Sequence, residues 1–101
     1  MIVYNITAKV NADVLADWLQ WQLEEHIPDI MSTGKFVEWK MFHLLEQDET
    51  DGVTYVFQYF AKNAEDYKSY IDNDAPLLRK KAMQRWGDQF VAFRTVMRLV
   101  N

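Results

Sequence analysis

Two histidines, His26 and His43, are the side chains of this chain whose ordinary pKa lies close to neutrality. His26 falls on the apolar stripe of a helix beside Pro28. From there an imidazole could act as a general base, hydrogen-bond a ligand or reach a haem iron, so His26 is the candidate catalytic residue. The same position suits a packed, satisfied histidine. His43 shares a strand face with Trp39 and Met41, and packing competes more strongly there with a ligand-binding role for His43 and Trp39. Asn5, Gln58 and Arg94 are read onto matching faces of three strands that become neighbours in the sheet. Their amide and guanidinium groups would then converge on one ligand carboxylate or carbonyl. The competing reading is a hydrogen-bond network across a dimer, with Arg94 neutralised by Glu38 or its symmetry mate. Tyr59, with Tyr4 and Tyr55, adds phenolic donors, although aromatic residues in strands commonly serve as packing. The same competition applies to Trp18, Trp21, Trp39 and Trp86.

Several chemistries lack their residues. The chain has no cysteine, which removes thiolate metal sites, iron–sulfur ligation, disulfides and cysteine nucleophiles. No spacing of His, Asp and Glu matches a recognised metal-ligand pattern, so no metal site is expected. Three glycines make no phosphate-cradling loop, and no serine or threonine sits in a nucleophile motif. The sequence assigns no cofactor. A net charge of −4 and a pI near 5.0 repel phosphate backbones and anionic lipid surfaces, so neither nucleic acid nor membrane is an expected partner. The one basic cluster, Arg79, Lys80, Lys81 and Arg85, reads as a solvated helix face. Without a basic leader or a long apolar run, the expected location is cytoplasmic.

The elements that must position these residues follow from periodicity. With 101 residues, half of them apolar, the expectation is one domain spanning 1–101. Residues 2–10 alternate as a strand. Asn11 is a candidate cap for a helix carrying Leu15, Trp18, Leu19, Gln22, His26 and Ile30 on one side. Pro28 predicts a kink or restart, and Gly34 a turn out of the helix. Residues 35–46 and 53–61 alternate again on either side of a turn at 48–52, which predicts an antiparallel hairpin. Asn63 opens a second helix, interrupted near Pro76, continuing to Trp86 and stopped by Gly87. Residues 88–100 form the last strand. The order βαββαβ, with right-handed crossovers, predicts an α+β ferredoxin-like fold: a four-stranded antiparallel sheet with both helices on one face.

If helices cover one face, the other should be largely polar in a monomer. Taking the more apolar face of each strand as helix-packed, the second face still carries Val3, Phe36, Phe42, Leu44, Val56, Phe60, Phe90, Val96 and Val100. These surround a polar middle of Asn5, Thr7, Glu38, Lys40, Gln58 and Arg94. So much exposed apolar surface predicts a homodimer in which two sheets face each other, a dimeric α+β barrel.

Four stretches carry a family resemblance across nearly the whole chain: Met1 to Thr7; Trp18 with Glu25-His26-Ile27-Pro28 and Gly34; Thr54-Tyr55 with Gln58-Tyr59-Phe60; and Phe90 to Thr95. Together they resemble an uncharacterised bacterial family, a domain of unknown function similar to a branch of the dimeric α+β barrel superfamily. That superfamily includes cofactor-free monooxygenases, haem-degrading enzymes, lactone isomerases and proteins without assigned activity, with ligands commonly held in a cleft against the sheet. The resemblance implies the fold and a dimer and supplies no reaction. Two functions stay open. One is a small-molecule site with monooxygenase-like or isomerase-like proton transfer. The other is a non-catalytic binding or regulatory dimer.

Overall fold

The computed structural model describes residues 1–101. Strands β1 (Ile2–Asn11), β2 (Glu38–His43), β3 (Gly52–Ala61) and β4 (Phe90–Arg98) form one antiparallel sheet in the order β2-β3-β1-β4. Between β1 and β2 the chain runs through a 3-10 turn (Ala12–Val14), α1 (Leu15–Trp21), a π-helical turn (Gln22–His26) and α2 (Ile27–Met31). Between β3 and β4 it runs through α3 (Ala64–Ser69), a second π-helical turn (Tyr70–Asp74), α4 (Ala75–Trp86) and a 3-10 turn (Gly87–Gln89).

Both prolines explain the π turns. A proline inside a helix has no N–H to donate, and its ring clashes with the carbonyl four residues back. Here the widened turns immediately precede Ile27-Pro28 and Ala75-Pro76, with the Ile27 N–H bonded to the Gln22 carbonyl and the Ala75 N–H to the Tyr70 carbonyl. The expected kink or restart is therefore one extra residue taken into an unbroken helix. Its consequence is a five-residue step in the buried stripe. Gln22 and Ile27 are both buried, as are Tyr70 and Ala75, after which Leu78, Ala82 and Trp86 resume ordinary helical spacing. Asn63 caps α3 by accepting from the Asp66 N–H at 2.8 Å. Asn11 makes no such bond, and the first helix enters through its 3-10 turn.

The core lies between the helices and one sheet face, where Trp18 is fully buried against Phe57 and Phe90, and Tyr4, Phe36, Tyr59 and Tyr70 form an aromatic cluster. Phe36, expected on the opposite face, belongs to this core because it precedes β2 rather than lying in it. β2 and β4 are shorter than residues 35–46 and 88–100, although Val37 and Leu44 still donate to β3 carbonyls on either side of β2.

The register corrects the expected face of β4. Tyr4 pairs with Val96, Ile6 with Arg94 and Ala8 with Ala92, so Phe90, Ala92, Arg94 and Val96 share the helix-packed face with Tyr4 and Ile6. Directly opposed residues in an antiparallel pair point to the same side. The open face instead takes Val91, Phe93, Thr95 and Met97 from β4, beside Val3, Asn5 and Thr7 of β1, Val56, Gln58 and Phe60 of β3, and Glu38, Lys40 and Phe42 of β2. An apolar open face with a polar centre is thus present, built from the other half of β4. Phe93 is 70% exposed on it.

Candidate functional site

The β4 phase decides which of the predicted residues meet. A cavity lies between the helices and the sheet, floored by β1, β3 and β4 and walled by the first helix and α4. His26, Tyr59 and Arg94 all line it, and they come from three different elements. Asn5 and Gln58 do not. They pair directly across β1 and β3 on the open face, where Gln58 Nε2 donates to Asn5 Oδ1 at 3.3 Å and Asn5 Nδ2 donates to Thr7 Oγ1 at 3.3 Å. The expected convergence of Asn5, Gln58 and Arg94 therefore does not form, because Arg94 is on the far side of the sheet from the two amides. Trp39 and His43 occupy the outer strand β2 and line no part of the cavity. His43 stacks on Tyr55 at 5.2 Å, and its Nε2 lies 2.6 Å from a Glu49 carboxylate oxygen on the surface.

His26 forms the wall between two spaces, lining both the inner cavity and an outer groove with Glu25, Asp29, Lys81, Gln84 and Arg85. The π turn leaves it at the margin of the helix stripe, with its ring stacked on Trp21 at 4.6 Å. Desolvation lowers its pKa from 6.5 to about 4; Asp29 opposes this, and Arg94 and Lys81 add to it. The imidazole is neutral at pH 7, a proton acceptor facing the cavity. Tyr59 and Tyr70 are pushed far the other way, chiefly by burial and then by neighbouring tyrosines. Their hydroxyls stay protonated and serve as donors.

Two polar groups that sequence reasoning passed over complete the lining. Gln22 is 7% exposed, with its carboxamide at the cavity. Arg79 reaches across from α4 and donates from Nη2 to the Tyr4 hydroxyl at 2.8 Å. Its signal was present in the sequence: Arg79 follows Leu78 and lies four residues after Ala75, at the edge of the stripe that continues to Ala82. As the structure stands the cavity measures about 30 Å³, room for a water molecule or two. At Arg79, Phe90 and Arg94 it meets a groove of about 560 Å³ between α4 and β4. No three His, Asp or Glu side chains gather into a metal-binding group. The cavity offers hydrogen bonds, positive charge and one neutral base.

An open-faced four-stranded antiparallel sheet, with both helices on one side and a largely apolar cavity beneath them that a few polar groups enter, is a ferredoxin-like α+β protein. Within that class the chain belongs to the family described as Domain of unknown function (DUF4286), which it matches over residues 1–100. No curated protein matches it in sequence. Solved structures similar to it include an ethyl tert-butyl ether D (EthD) family protein from Bacillus halodurans, with TM-score 0.70 and 14% identity, covering 99% of this chain and 100% of that one. SnoaB, a cofactor-independent oxygenase from Streptomyces nogalater, is similar with TM-score 0.70 and 9% identity, covering 99% and 94%. A dimeric ferredoxin-like protein from an uncultured marine organism is similar with TM-score 0.63 and 13% identity, covering 99% and 95%. At these identities the likeness shows the fold. No helix of the chain is long and apolar enough to cross a membrane.

Proposed function

We propose that this chain forms a homodimer whose subunits each bind a small organic molecule in the cavity between helices and sheet, with a monooxygenase-like activity begun by proton abstraction. The observation that carries this reading is His26, a base kept neutral by burial, facing a cavity with phenol and guanidinium donors. A ligand C–H or O–H would pass its proton to His26 only where the ligand is itself strongly acidified, since burial makes this imidazole a weak base with a pKa of about 4. Tyr59 and Arg94 would hold the resulting anion, an arrangement in which fixed donors stabilise developing charge. His26 also lines the outer groove, which supplies a route for the proton to solvent past Asp29. An isomerase-like reaction would use the same abstraction and return the proton elsewhere on the ligand. Similarity in fold to a cofactor-independent oxygenase supports the oxygenase class. The dimer is supported by the apolar open face and by likeness to a dimeric ferredoxin-like protein. The cytoplasmic location belongs to the same reading and rests on the sequence alone.

Oxygen uptake with a panel of planar phenols tests the activity. The wild type should consume oxygen, and His26→Ala should slow it about 10²–10⁴-fold while the fold persists. Bound phenol without oxygen uptake, or an unaffected His26→Ala variant, contradicts the oxygenase reading.

A second reading, a non-catalytic binding or regulatory dimer, is favoured by the small cavity and by the Asn5–Gln58 pair, which sits where two sheets would meet. It expects Gln58→Ala to weaken the dimer and no variant to change a turnover rate.

A further inference from the structure

We propose that the cavity selects an aromatic carboxylate, its carboxyl group taken by Arg79 and Arg94 and its ring lying inward against Trp18 and Phe90. This rests on the cavity being the ligand site and names the chemistry it accepts.

The charge distribution is the first observation. The chain carries 15 acidic against 11 basic residues, yet the cavity lining contains two arginines and no carboxylate. Neither arginine takes part in an ion pair: the chain's four involve Lys35, Lys40, His43 and Lys81. Both guanidiniums border the cavity as well as the groove outside it, so they flank the passage between the two. Arg79 has only the neutral Tyr4 hydroxyl as a side-chain acceptor, at 2.8 Å. A carboxylate replacing that hydroxyl would make a charge-assisted bond roughly twice as strong, and a guanidinium fork matches the two carboxylate oxygens.

The second observation lies deeper. Trp18 is fully buried and lines the cavity, and its indole Nε1 has no hydrogen-bond partner. Gln22 lines the cavity as well and enters none of the chain's side-chain hydrogen bonds, but its carboxamide keeps solvent contact and is not an orphaned donor. Unpaired buried donors are costly, and a ligand acceptor recovers that cost. The remaining surface near Trp18 is aromatic and apolar, from Phe57 and Phe90. Two guanidiniums at the mouth, apolar rings within and one unmet indole donor at depth fit an aromatic acid carrying a further oxygen, with Asp88 the one carboxylate that lines the groove outside. The groove between α4 and β4, about 560 Å³, is in the range usual for small-molecule sites, whereas the inner cavity of about 30 Å³ must widen before a ring reaches Trp18, which withdrawal of the Arg79 side chain from Tyr4 would begin.

Isothermal titration calorimetry of the purified protein at pH 7, with 2-naphthoate and its neutral isostere 2-naphthamide, tests this. The acid should bind at least tenfold more tightly than the amide. Arg94→Gln and Arg79→Gln should each remove about tenfold of the acid's affinity and leave the amide's unchanged. Arg94 is exposed and makes no side-chain bond, so Arg94→Gln should keep the wild-type thermal melt, whereas Arg79→Gln also loses the bond to Tyr4 and is read by its acid-to-amide affinity ratio. Equal binding of acid and amide, or arginine variants that bind the acid as the wild type does, overturns the anion selectivity and leaves the cavity as a site. If neither compound binds, the cavity reading itself falls, and this inference with it.

Discussion

A neutral imidazole beside two arginines is a folding liability as well as a chemical resource. His26 titrates near 6.5 when unfolded and at about 4 when folded, so the native state binds its proton less readily. The favourable difference is complete above the unfolded pKa and is lost as pH falls from 6.5 towards 4. Through this residue the native state should lose about 2 kcal/mol between pH 7 and pH 5. Urea melts at the two pH values check it: His26→Gln should remove most of that loss, and an identical pH dependence in the variant would refute the burial account of His26. That His26 and Tyr59 line the cavity was legible because each lies on an element's core-facing side by its spacing. Asn5 and Gln58 share one sheet face as expected, while Arg94 does not join them, since periodicity gives the alternation of a strand without its phase. Arg79 was passed over because a basic run on a helix reads as solvated even when one member borders the buried stripe.

At the level of elements, β4 shows why hydrophobicity misplaced a face. Val91, Phe93, Thr95 and Met97 are together more apolar than Phe90, Ala92, Arg94 and Val96, yet the second set faces the helices. The helix-packed face of β4 gives up apolar surface to present Arg94 to a cavity, while its open face keeps apolar surface for which this chain supplies no cover. The strand order and hairpin were legible, since they rest on alternation and turn residues. The two π turns were not, because a proline at helical spacing signals only an interruption, and the five-residue step from Gln22 to Ile27 shows only once Ile27 is known to be buried. The β1–β3 pairing carries its own strict requirement at Gly52, opposite Asn11, where an added Cβ would collide with the Val10 carbonyl oxygen. Gly52→Ala should therefore cost about 1–3 kcal/mol, as overpacking does, by prising β3 from β1 at the hairpin end. Chemical denaturation measures it, and a neutral outcome would mean that the strand end shifts freely.

For the whole molecule the question is what covers the open face. Phe42, Phe60, Phe93 and Met97 surround the Asn5–Gln58 pair there, and a small domain gains appreciably from hiding such area. The dimer reading predicts that Phe93→Glu, which places like charges against each other across a two-fold axis, converts a 24 kDa species, twice the 12.0 kDa chain, into a monomer by sedimentation velocity. A wild-type monomer would leave the open face without a partner of its own kind. On the proposed reading the two faces would carry separate tasks, pairing on one and ligand chemistry on the other, and adjacent residues of β4 report on each. Intermolecular NOEs from bound 2-naphthoate to the isotope-labelled protein test that division most directly. The account predicts contacts from the ligand ring to the Trp18 indole and the Ala92 methyl, and none to Phe93. Contacts to Phe93 and Thr95 without Trp18 would put the ligand between the sheets and contradict it.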